Sequence, residues 1–89
     1  MNFETVMNKH DFHLVQTGGG CTAWEHTLEN GDQVLITEPD EPNATTAADQ
    51  PCTVTLLADH ELAKQWGCDN ADDALHAAKF YVSEYYHTS

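Results

Sequence analysis

Asn30-Gly31 lies between two runs of strand-forming residues, and this dipeptide constrains the chain more tightly than anything else in it. Asn-Gly flanked by alternating apolar residues is the strongest short-range hairpin signal, because both residues tolerate a positive φ. The flanking runs are Cys21 to Leu28 and Gln33 to Thr37. A two-residue loop would put Trp24, His26 and Leu28 on the face shared by Gln33, Leu35 and Thr37. A three-residue loop, Glu29-Asn30-Gly31 with the glycine left-handed, sets them with Val34 and Ile36 instead. A slip of one residue inverts every side chain. Only the longer loop leaves one apolar face and one polar face (Glu25, Thr27, Gln33), so it is the expected register.

Other elements fall around this hairpin. Phe3, Val6 and Met7 share one helical face, which predicts a short helix over residues 3 to 9. Phe12 to Thr17 reads as a strand, broken by Gly18-Gly19-Gly20. A phosphate cradle would lead into a helix and bring a lysine or serine. These glycines lead into the strand Cys21-Thr22-Ala23-Trp24, so a turn or bulge is expected. Cys52 to Ala58 is a further strand with Val54, Leu56 and Ala58 on one side, and Asp59 to Trp66 is expected as a short helix ended by Gly67. Asn70 caps a last helix whose apolar positions are Ala71, Ala74, Leu75, Ala78, Val82 and Tyr85. The expected fold is α+β. One domain spanning residues 1–89 holds a small four-stranded antiparallel sheet, covered on one face by the C-terminal helix, with a short N-terminal helix.

Charge bears most on function. Fifteen acidic residues face three lysines and no arginine, a net charge of −12 at pH 7. Phosphate contact relies on Lys and Arg, so direct binding to nucleic acid or to an anionic membrane is not expected. The natural partner of such a surface is basic. Halophilic adaptation produces a similar composition and is the bland alternative.

Catalytic and cofactor motifs are missing. Cys21 and His26 sit at odd separation on one strand and face opposite sides. Cys68 and His76 are near in sequence, yet only Cys68 precedes the last helix and no third member is evident. His10-Asp11-Phe12-His13 is the one close pair among six histidines and three cysteines, so a Cys/His zinc site is kept only as an alternative. The odd cysteine count, and the lack of a basic and apolar leader in the first residues, predict a cytoplasmic chain with reduced thiols.

Helix capping accounts for Asp69, Asp72 and Asp73 as well as an ion would. Glu38, Asp40, Glu41 and Asp49 have no such role. They gather in the long loop between Glu38 and Pro51, which also holds the three prolines, and Asp59 and Glu61 follow the next strand. Phe80 lies opposite Ala71 and Leu75 on the last helix, and Tyr86 is a second exposed candidate. An aromatic beside an acidic patch is what an interface uses as an anchor.

In length, acidity and helix-plus-sheet order the chain resembles small phage-encoded inhibitors of bacterial defence, the anti-CRISPR and anti-restriction proteins. The segment Thr17-Gly18-Gly19-Gly20-Cys21-Thr22-Ala23-Trp24 is also similar to a stretch of uncharacterised phage proteins. Several such inhibitors mimic DNA by aligning carboxylates at phosphate-like spacing. The resemblance implies a non-enzymatic inhibitor that meets a basic nucleic-acid-binding protein in the host cytoplasm. The expected contact set is Glu38, Asp40, Glu41, Asp49, Asp59, Glu61, Asp69, Asp72, Asp73, Phe80 and Tyr86. An acidic accessory domain of a larger phage or halophile assembly, docking through its aromatics, is the second reading, and self-association stays open.

Overall fold

The computed structural model describes residues 3–39, 43–44 and 49–88. Within them the order is α1 (Phe3–Lys9), β1 (His13–Gly18), β2 (Cys21–Thr27), β3 (Gln33–Thr37), β4 (Cys52–Ala58), β5 (Glu61–Cys68) and α2 (Ala71–Thr88). The strands form one antiparallel sheet in the order β1-β2-β3-β4-β5, each paired with its neighbour in sequence. The class is α+β, as the sequence implies, but the sheet has five strands where four are expected.

The correction comes from residues 59 to 66. Leu62, Ala63 and Trp66 are spaced as on a helix, yet they belong to β5. Asp59 and His60 both adopt positive φ, 54° and 66°, and close a two-residue hairpin in which Ala58 faces Glu61. Two successive left-handed residues are what a twisted strand pair needs from so short a loop. Here Asp and His occupy positions where Asn-Gly would have been easier to read. A register shift between Leu56 and Leu57 leaves Ala63 as the extra residue on β5. That bulge interrupts the two-residue alternation, and the mixed pattern imitates a helical one.

The central hairpin follows the expected register. Trp24 pairs with Ile36, His26 with Val34 and Thr27 with Gln33. Gly31 takes φ 92°, and Leu28 exchanges backbone bonds with Asp32 and Gly31, leaving Glu29-Asn30-Gly31 as the loop. At the first hairpin Gly18 faces Cys21, Gly19 and Gly20 both have positive φ, and the register shifts beside Gly18. The triple glycine is a turn with a bulge.

Correct register gathers one core on a single side of the sheet. Val34, Ile36, Val54 and Leu56 are fully buried there, with Cys52 and Trp24 beside them. Full burial of each such aliphatic side chain stabilises by about 2 kcal/mol. α2 covers them with Ala74, Leu75, Ala77, Ala78 and Val82. α1 adds Met7, while Phe3 meets Trp24 edge-on at 5.7 Å. α1 ends in a Schellman arrangement: Phe12 N donates to Met7 O at 2.9 Å, Asp11 N to Asn8 O at 3.0 Å, and Asp11 has φ 64°. The motif brings Phe12 against Met7 in the core, so β1 begins at His13, one residue later than expected. Ala44 is also buried, and its N–H donates to Thr22 Oγ1 at 3.0 Å, which ties part of the long loop to the covered side.

Candidate partner-binding surface

An antiparallel meander sends alternate connections to opposite ends of the sheet, and this divides the candidate residues. β3 ends, β4 begins and β5 ends at one edge, where Thr37 faces Thr53 and Cys52 faces Cys68. Glu38, Asp49 and Asp69 stand at this end, together with the first turn of α2, which carries Asp72 and Asp73. Asp59 and Glu61 sit in the β4–β5 hairpin at the other end. Asp40 and Glu41 lie outside the described residues. The structure therefore brings five of the nine candidate acids together and separates two from them.

Helix chemistry explains where part of the cluster stands. Asn70 caps α2, its Oδ1 accepting from Asp73 N at 2.8 Å and its carbonyl oxygen from Ala74 N at 3.1 Å. Asp72 and Asp73 follow in the turn where the helix dipole favours negative charge. None of the five carboxylates at this end makes a hydrogen bond or ion pair through its side chain among the described residues. They remain exposed, except for the half-buried Glu38. Their field reaches Cys68, whose thiol is pushed above its ordinary value by burial first and by Asp73 and Asp69 next. Cys52, facing it across the strands, donates its thiol to Asn70 O at 3.4 Å. Neither cysteine is in a disulfide, and a protonated, partly buried thiol such as that of Cys68 is a poor nucleophile.

The aromatic candidates also part. Phe80 is 56% exposed and stacks on His76, ring centroids 4.3 Å apart. Residues four apart share a helix face, so Asp72, His76 and Phe80 form one outward row on α2. Tyr81, 44% exposed, lies 6.2 Å from His76 and 6.1 Å from Trp66 of β5. The acidic end thus runs directly into a strip of exposed rings. Tyr81 belongs to this strip although sequence reasoning assigned it no role. Its place between the buried and exposed sides of the helix wheel is the signal that was there to read.

Tyr86 turns the other way. Its hydroxyl donates to Asp32 at the opposite end, and the side chain is half-buried. Burial first, and the bonded carboxylate next, push this phenol above the ordinary tyrosine range. Asp32 Oδ1 also accepts from Asp59 N at 3.4 Å, and Asp32 N donates to Asn30 Oδ1 at 2.9 Å. One carboxylate thereby joins two hairpins and the C-terminal part of α2.

Beside that junction, α2 and the β2–β3 hairpin enclose a groove of about 500 Å3. Phe12, Leu28, Leu75, Ala78 and Val82 supply its apolar lining, and His10, His26 and Lys79 stand around them. His26 tilts against Phe12 at 5.4 Å, and its Nδ1–H donates to the Asp11 carbonyl oxygen at 3.2 Å. Because a carbonyl oxygen only accepts, that nitrogen carries the proton. The histidine is a satisfied rim residue. Among the described residues no three His, Cys, Asp or Glu side chains gather to hold a metal, and no helix is long and apolar enough to cross a membrane. Comparison with protein-family models, with curated proteins and with solved structures finds no match.

Proposed function

We propose that this chain is a non-enzymatic binding domain that blocks a basic, nucleic-acid-binding partner. It docks through Glu38, Asp49, Asp69, Asp72 and Asp73 and anchors with Phe80 and Tyr81. The observation carrying this reading is the junction of unpaired carboxylates with a strip of exposed rings on one helix. Carboxylates held by internal partners have little left to offer a ligand, whereas these are free to meet Lys or Arg. Exposed aromatics beside them supply the apolar contact that charge alone lacks. Mimicry of a long phosphate ladder is not part of the proposal, since Asp59 and Glu61 stand at the far end of the sheet.

The test uses a panel of arginine-rich nucleic-acid-binding domains and biolayer interferometry. Affinity should fall by at least about tenfold between low and physiological salt, with the loss mainly in the association rate. Neutralising Asp69, Asp72 and Asp73 together to Asn should flatten that salt dependence. Phe80→Ala should speed dissociation. Binding that ignores both salt and neutralisation would overturn the charge-led proposal. If Phe80→Ala alone abolished such binding, the accessory-domain reading, which rests on the exposed Phe80, would take its place.

A further inference from the structure

The side of the sheet facing away from the helices is built unlike the rest of the molecule. Register places Val15, Ala23, Leu35, Leu57 and Leu62 on it. Val15, Leu35, Leu57 and Leu62 form a diagonal aliphatic ridge from β1 to β5, half-buried except for Leu62, which is 61% exposed at its end; Ala23 is fully buried and adds no surface. Threonines and glutamines flank the ridge. Gln33 Nε2 donates to Glu25 Oε2 at 3.2 Å and Gln65 Nε2 to Thr55 Oγ1 at 3.1 Å, so these polar groups are already occupied within the face. Glu25 is the one carboxylate among the strand residues on this side, in a chain of net charge −12. No lysine lies there either, because Lys64 pairs with Leu56 on the helix side.

We infer that this face binds a second copy of the same chain, sheet against sheet. A basic partner would find almost nothing here to neutralise it and would bury unpaired Lys or Arg, which is costly. The occupant must be as poor in charge as the face itself, and the chain's own face meets that condition. It is also self-complementary. A two-fold axis along the ridge sets Leu35 against Leu35 and keeps the two Glu25 residues on opposite sides of the axis. The acidic residues at the ends of the sheet stay outside the contact.

Area decides how tight the dimer is. The five strands, spaced about 4.8 Å and rising about 3.3 Å per residue, present about 500 Å2 per copy. Two copies bury about 1,000 Å2, the lower limit for a specific interface. The dimer is therefore weak and concentration-dependent. Its response to salt is opposite in sign to that of the proposed basic-partner complex: screening relieves repulsion between two anionic chains and strengthens the dimer. The two proposals can therefore fail independently.

Sedimentation velocity from micromolar to millimolar concentration, at low and high salt, tests the inference. The dimer fraction should rise with both variables. Leu35→Lys should raise the dissociation constant by at least about tenfold, and the milder Leu35→Thr, which keeps strand propensity, should weaken association without unfolding. Phe80→Ala should change nothing. A chain that stays monomeric throughout in high salt would overturn the inference. So would a dimer that survives both Leu35 variants, or one that is lost with Phe80.

Discussion

The two ends of the sheet carry the same kind of residue put to different use. At the hairpin end Asp32 is held by Tyr86, by the backbone of Asp59 and by Asn30, so its charge works inside the fold. At the other end Asp69, Asp72 and Asp73 have no side-chain hydrogen bond or ion pair among the described residues. The difference teaches that acidity alone does not mark a surface. A carboxylate whose lone pairs are filled is a structural strut, and one left open beside a helix cap is available to a partner.

Replacing the strut should have the largest effect. Asp32→Ala removes the acceptor for Tyr86 and for the Asp59 N–H, and should lower stability by about 2 kcal/mol in urea unfolding. If the loss is negligible, the hairpin end is held by packing alone and the comparison collapses. At the open end the helix cap matters more than the acids it leads to. Asn70→Ala should cost about 1 kcal/mol in the same measurement, because the Asp73 N–H loses its acceptor. A cost equal to that of Asp32→Ala would mean the acidic end is as much a structural junction as the other.

A smaller effect comes from pH. Tyr86 has a raised value in the folded state, so its contribution is complete below the ordinary tyrosine value of about 10. It is lost as pH rises through the higher folded value. Stability should thus fall more steeply above pH 10 in the parent than in Tyr86→Phe, as read by thermal melts; parallel curves would mean the phenol's environment is the same folded and unfolded. The smallest change is a gain. Asp11 holds a left-handed conformation at the end of α1, where glycine pays no Cβ penalty. Asp11→Gly should add about 0.5 kcal/mol, and a loss instead would show that the Asp11 side chain supports the neighbouring hairpin.

Legibility in the sequence varied with how local the cause is. Asn30-Gly31 and the flanking alternation specify the loop length and hence the register of Trp24, His26, Val34 and Ile36. Asn70 and the spacing of Ala71, Ala74, Leu75, Ala78 and Val82 specify α2 and its buried face. β5 was not legible. An edge strand has one neighbour and half the apolar demand of a central strand, and its bulge removes what alternation remains. For the candidate surface, the exposure of Phe80 could be read from the helix wheel, whereas the diversion of Tyr86 to Asp32 could not, since those residues are 54 positions apart.

By itself the sequence determined the α+β class, the register of the central hairpin, the cap and buried stripe of the last helix, and a surplus of negative charge. All of these depend on neighbours within a few positions, or on composition alone. Tertiary structure decided that there is a fifth strand, that Asp59 and Glu61 stand apart from Asp69, Asp72 and Asp73, and that the strand residues on one sheet face include a single carboxylate, Glu25, and no lysine. Those outcomes follow from which strand end each loop leaves, and strand direction is set only once the whole meander has paired.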